Sequence, residues 1–170
     1  MQKWRGHIPK SSRSDQLIGN IDILRTIAEI LEYPLKENEG TDSYSILPAL
    51  IGNPKNQIRE HLIIAPPRKT HLAIRYQDWL FIGEKGSGGG GPHTDVAGLR
   101  AISWTNQKNS DITKDGAIRD DVPPKQLYLL SEDLSQTQNI YEQRPEIVKK
   151  LDSLLIYYQK SMSSLPTIGR

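Results

Sequence analysis

The sequence predicts an α+β fold: a small antiparallel sheet, made of a hairpin plus a later strand, packed by a C-terminal helix. Residues 71–82 hold two β-prone runs, 72–75 and 79–82, joined by the polar break Tyr76-Gln77-Asp78, which is the pattern of a hairpin. A hairpin alone is marginal in water and needs a third strand or a covering helix. Residues 126–130, Gln-Leu-Tyr-Leu-Leu, predict that strand. Residues 145–158 predict that helix: Ile147, Val148, Leu151, Leu154, Leu155 and Tyr158 share one face, and Pro145 suits a first turn.

Upstream, the pattern predicts a helix over 15–32 and a strand over 61–65. Leu17, Ile21, Leu24, Ala28 and Leu31 recur at spacings of four and three, Ser14-Asp15 offers an N-cap, and Pro34 ends the run. Asp22, beside that stripe, reads as a solvated or capping carboxylate. Residues 62–65, Leu-Ile-Ile-Ala, have no polar side and stop at Pro66-Pro67, so they suit an interior strand covered on both faces. Nothing nearby in the chain is available to cover them. Helix and strand together read as one edge of a larger α/β domain, with apolar faces turned toward an absent sheet. Residues 36–60 read as loop and short helix around the apolar patch 45–50, punctuated by Gly40, Gly52 and Pro54.

After the hairpin, residues 83–95 are glycine-rich without the Gly-Lys-Ser/Thr of a phosphate-binding loop. His93 is the residue there able to do proton or anion chemistry. Residues 96–125 are irregular, and 161–170 read as a flexible tail.

Composition narrows the function. Acids and bases are interspersed and the net charge is only +2, which argues against nucleic-acid or membrane-surface binding driven by electrostatics. With no cysteine there is no disulfide, thiolate metal site or thiol nucleophile. No apolar run is long enough for a membrane span, and the N-terminus lacks a signal-peptide core. His7, His61, His71 and His93 lack metal-ligand spacing, and Asp120-Asp121 runs into Val-Pro-Pro, a surface-loop context. Ser11-Ser12 beside Arg13 sits in no nucleophile motif. The residues alone identify no catalytic group and no metal site.

The order of short motifs carries more. Trp4-Arg5-Gly6-His7-Ile8 is similar to a W-P-G-x-I strand end, and Ser14-Asp15 through Asp22-Ile23-Leu24-Arg25-Thr26 to an S-D…D-L-L-P-T helix. Residues 42–50 are similar to D-G-x-S-L-x-P-x-L with Ser43 for Gly, and Ala73-Ile74-Arg75…Asp78-Trp79 is similar to A-I-R-x-G-D-W-K with Gln77 for Gly and Leu80 for Lys. Gly86-Ser87-Gly88-Gly89, then Gln126-Leu127-Tyr128…Asp133, Asn139-Ile140 and Pro145-Glu146-Ile147-Val148 complete the series. This order resembles the C-terminal part of the formylglycine-dependent sulfatases, in the alkaline-phosphatase-like superfamily.

The resemblance implies that 1–66 is a remnant of the large α/β sulfatase domain and 67–160 the C-terminal sulfatase subdomain. It implies a pocket-facing loop at 83–95 carrying His93, with Arg75 and His71 as lesser substrate-facing candidates. The family's formylglycine, made within C/S-x-P-x-R, and its calcium lie upstream of this sequence, so no cofactor is expected in this chain. The implied partner is the N-terminal catalytic part of a sulfatase, or a second copy through exposed apolar faces, with a sulfated carbohydrate or aryl sulfate as substrate. The alternative is a non-catalytic binding module for sulfated glycans.

Overall fold

Four short strands and three α-helices form within the residues that the computed structural model describes, namely 4–52, 56–66, 71–86, 110–113 and 118–161. The chain divides into two units, Met1–Leu62 with Ser161–Arg170, and Ile63–Lys160.

The second unit is built on the sheet. The sheet order is β1 (His61–Ile64, whose first two residues count with the first unit), β2 (Ala73–Tyr76), β3 (Trp79–Ile82), β4 (Gln126–Leu129). β2 and β3 pair antiparallel from Ala73↔Ile82 to Tyr76↔Trp79, and β3 pairs antiparallel with β4 from Trp79↔Leu129 to Ile82↔Gln126. The expected three-residue break is thus a two-residue turn, Gln77-Asp78, with Tyr76 inside the strand. Tight hairpins favour a left-handed first turn residue, and Gln77 takes it at φ 50°. The family pattern has Gly there, which adopts that conformation without a side-chain penalty.

Alternation along the strands gives the sheet two unlike faces. Ile74, Phe81 and Leu127 lie on one, fully buried against Leu151 and Leu155 of the last helix, α3 (Pro145–Ser161). The stripe predicted for that helix is the stripe observed: Tyr158 is buried too, while Lys149 and Lys150 are exposed. Burying each large aliphatic side chain is worth about 1.5–3 kcal/mol, so this seam anchors the unit. The other face carries Ala73, Leu80, Tyr128 and the buried polar Gln126.

β1 occupies an edge of this sheet. The interior strand covered on both faces is therefore not what forms, since Ile64 is 43% exposed.

The first unit is organised differently. Residues 12–19 carry no helix; a 3-10 turn at Asn20–Asp22 leads into α1 (Ile23–Ile30). The carboxylate of Asp22 explains the late start, because its Oδ2 accepts the Gly19 amide at 2.8 Å and holds the chain at the helix entrance. α1 ends in a Schellman arrangement: Tyr33 N bonds Ala28 O at 2.8 Å and Glu32 N bonds Glu29 O at 3.1 Å, with Glu32 left-handed at φ 53° and Pro34 following.

α1 buries the polar side. Asp22, Thr26 and Ala28 face inward, and the stripe Ile23, Leu24, Ile27 and Leu31 faces out. Asp22 was read as solvated or capping; it caps, but it is fully buried in an ion pair with Arg59, itself 2% exposed. Asp22 Oδ1 also accepts the Tyr44 amide at 2.9 Å, and Thr26 Oγ1 accepts the Ile46 amide at 3.0 Å. These bonds pin the loop that leads into α2 (Leu47–Leu50).

Candidate functional site

On the polar face of the sheet, four side chains collect at the base of the segment between Gly86 and Ser110. Gln126 Nε2 donates to Glu84 O and Gly86 O, both at 2.7 Å. Tyr128 donates its hydroxyl to Gln126 Oε1 at 2.7 Å and lies 2.9 Å from Ser110 Oγ. Asp111 accepts from the Gly86 amide at 3.3 Å, from Ser110 Oγ at 3.0 Å and from Asn139 Nδ2 at 3.2 Å. Asn139 Oδ1 in turn accepts the amides of Leu127 at 3.0 Å and Tyr141 at 3.1 Å.

Asp111, Gln126 and Tyr128 are fully buried, so each partner lost would leave a desolvated polar atom. The chemical effect is mechanical: Gly86 and Ser110 are held to one strand end. Gly86 itself cannot be replaced cheaply. It sits at φ 87°, and a Cβ there would lie 2.9 Å from Ile118 Cδ1. An isolated β-bridge continues the brace, since Ile118 pairs with Ile112 and the Arg119 amide bonds Asp111 O at 2.9 Å.

Of the residues proposed from sequence, His71 lies beside this base, whereas Arg75 sits at the hairpin turn. His71 is buried, with Nε2 2.9 Å from Lys85 O, and so ties the strand entrance to the start of the glycine segment. Arg75 is drawn into the hairpin turn: Nε donates to Gln77 O at 2.6 Å, and Nη2 lies 3.7 Å from Asp78 Oδ1. His93 lies outside the described residues, as do Ser87, Gly88 and Gly89. Asp121 is in an exposed pair with Arg119, whose hydrogen bond holds the carboxyl below the usual carboxylate range. The cluster Asp111–Gln126–Tyr128–Asn139 was not singled out from sequence. Its signal was the polar pair at 126 and 128, one strand repeat apart and therefore on one face of an otherwise apolar strand.

A separate cleft of about 1080 Å³ lies in the first unit, with Trp4, Ile8, Ile18, Ile46 and Leu50 among its lining residues. None of the groups at the sheet site takes part in it.

No family model matches the chain. It is 29% identical over 154 residues, 90% of its length, to the N-acetylgalactosamine-6-O-sulfatase of Bacteroides thetaiotaomicron, and covers 25% of that protein. A solved structure described as a 6S-sulf, from the metabolism of multiple glycosaminoglycans by Bacteroides thetaiotaomicron, matches it at 27% identity and a TM-score of 0.54. That match covers 82% of this chain and 24% of the other.

The chain is a sulfatase homologue. It spans about a quarter of the length of these relatives, and its motif order is that of a sulfatase C-terminal region. A further solved structure, in complex with its substrate D-glucosamine-2-N,6-O-disulfate, is 16% identical with a TM-score of 0.46. The homologue's own residues do not fit the family's formylglycine and calcium. Its sequence contains no C/S-x-P-x-R, and among the described residues no three His, Asp or Glu side chains come together.

Proposed function

We propose that the chain acts as the C-terminal segment of a sulfatase, packing on a catalytic part outside this sequence and shaping its substrate pocket. The observation that carries this reading is the coverage: 90% of the chain aligns with only 25% of an N-acetylgalactosamine-6-O-sulfatase. The chemistry has to come from the remainder, because electrostatic stabilisation is usually the largest catalytic term and the family draws it from a bound calcium.

In this reading the buried Asp111, Gln126 and Tyr128 hold both ends of segment 87–109 at the pocket, and His93 is the residue of that segment assigned to face the sulfate. His71 and Arg75 support it from behind, one at the glycine segment and one at the turn. The substrate class is a sulfate ester of a carbohydrate, as the relative's name suggests for that enzyme.

The direct test is the purified chain with an aryl sulfate, with and without added calcium. No turnover above background is expected in either case. Turnover that a chelator abolishes would contradict the division of labour.

A further inference from the structure

The cleft in the first unit combines exposed cations with a buried apolar wall. Arg5, Lys10 and Arg13 line it, and all three are exposed. Its lining residues include no acid, and among the described residues none of the three cations forms an ion pair. Like charges gathered at one cleft without a counter-charge concentrate a positive potential there, although the chain as a whole carries only +2. The segment that brings them together is shaped at some cost. Ser11 holds a left-handed φ of 58°, which is unfavourable outside glycine, and Ser12 fixes the turn by donating Oγ to Pro9 O at 3.0 Å. Trp4 lines the same cleft with its ring stacked on His7, 4.0 Å between centroids and 27° between planes. That contact orders the indole before any ligand arrives. Ile46, 3% exposed, and the half-buried Ile8 supply the apolar wall.

We infer that this cleft binds a sulfated oligosaccharide, with Arg5, Lys10 and Arg13 on its sulfate groups and Trp4 against a sugar ring. The inference gives the first unit a ligand of its own, and only the choice of sulfate over phosphate esters rests on the functional reading above. Size favours an oligosaccharide over a lone ion, because about 1080 Å³ stands at the top of the range of roughly 300–1,000 Å³ typical of ligand pockets. Chemistry favours it too. A guanidinium presents a fork of donors that matches two oxygens of an oxyanion, and an ammonium adds a point charge. The C–H bonds of a sugar ring carry a slight positive charge and suit the negative face of an indole. A free sulfate would leave the apolar wall unused, and an acyl chain would leave the cations unused. A single nucleic-acid strand needs stacking platforms for successive bases, and Trp4 is the one aromatic residue in the lining.

The test is calorimetric titration of the full chain with a chondroitin sulfate tetrasaccharide, the same tetrasaccharide after chemical desulfation, inorganic sulfate, and a single-stranded oligonucleotide of equal charge. The sulfated tetrasaccharide should bind one to one, more weakly as salt is added. The desulfated form should bind at least about ten-fold more weakly. Arg5→Gln combined with Arg13→Gln should weaken binding of the sulfated form by about ten-fold or more, and so, separately, should Trp4→Ala. Arg144→Gln combined with Lys149→Gln removes the same charge at exposed positions of the other unit and should change it by less than about two-fold. Absence of binding overturns the inference, and so does equal weakening by the two double variants, which would mean attraction to charge anywhere on the chain. Equal affinity for the desulfated form removes sulfate from the recognition, and inorganic sulfate bound as tightly as the tetrasaccharide removes the sugar. An oligonucleotide bound as tightly overturns the inference in favour of a general polyanion surface. The C-terminal-segment reading is judged separately, by turnover of an aryl sulfate, so either can fail while the other stands.

Discussion

The two units differ in what dominates their interiors. The sheet unit encloses Ile74, Phe81, Leu127, Leu151 and Leu155 as one apolar cluster, beside the buried polar group of Asp111, Gln126 and Tyr128. The first unit encloses Asp22, Arg59, Thr26 and Ser43, and turns Ile23, Leu24, Ile27 and Leu31 outward. Their stability therefore has different origins. The sheet unit draws on apolar burial, which is non-directional and tolerant of small shifts. The first unit draws on one buried ion pair, whose attraction must offset the desolvation of both charges. That pair is incompletely served among the described residues, for Arg59 Nε and Nη1 are buried there without a hydrogen bond, and the guanidinium lies 4.6 Å over the Tyr44 ring. Burial pushes the Tyr44 phenol up, and the Arg59 charge partly opposes it.

The largest effect expected from this contrast is at Asp22. Asp22→Ala strands the Arg59 cation in the interior and leaves the Gly19 and Tyr44 amides without their acceptor. Breaking a buried pair from one side costs about 3–5 kcal/mol. Exchange at residues 20–31 and 42–46 should accelerate strongly, with residues 73–82 unchanged. Equal acceleration in both regions would dissolve the distinction between the units.

Leu151→Ala probes the other side. Leu151 is fully buried at the centre of the α3 seam, where truncation costs about 2–5 kcal/mol. Lys149→Ala, at an exposed position of the same helix, should stay within about 0.5 kcal/mol. Thermal melts of the two variants decide it, and equal midpoints would remove α3 from its place over the sheet.

How much of this was legible in advance follows from which forces periodicity reports. The α3 stripe and the hairpin were readable because their burial is local in pattern: one helix face, one alternation. The stripe of the first helix was readable only in part: Leu24 and Leu31 share the outward side with Ile23 and Ile27, while Ala28, expected on the same face, is buried. Its start was not, because Leu17 and Ile21 continue the helical spacing, while residues 12–19 carry no helix and Ile21 lies in the 3-10 turn that precedes α1. The depth of Asp22 was hidden as well. It depends on Arg59, 37 residues away, and no local pattern links the two. β1 misled for a related reason: a continuous apolar run signals two covered faces, and here one of its residues stays open at a sheet edge. At the candidate site, Gln126 and Tyr128 were visible as residues, but the backbone oxygens that Gln126 bonds and the Ser110 hydroxyl beside Tyr128 are placed only by the fold.

Acid should separate the units more gently. Burial holds the His61 imidazole below its ordinary pKa of 6.5, with Glu60 partly opposing and Arg59 reinforcing. A depressed histidine means the unfolded chain binds the proton first, so its contribution is present above pH 6.5 and is lost as pH falls further. In the sheet unit the corresponding group is Asp133. Burial works against its charge, but the Thr137 and Gln138 amides and the Thr137 hydroxyl hold its carboxyl below the ordinary 3.8. That contribution is present above pH 3.8 and is lost only below it. Exchange corrected for the intrinsic rate should therefore rise around His61 at a higher pH than around residues 133–138. The reverse order would mean that burial at His61 is not what sets its titration.

The most direct test of the central claim, that the first unit is an inner edge awaiting its cover, is hydrogen exchange of the isolated chain at neutral pH. Residues 23–31, with their apolar stripe in water, should exchange fast, and residues 73–82 and 126–129, sealed by α3, should exchange slowly. Equal protection across these regions would show that the chain builds a complete core of its own and would contradict the account.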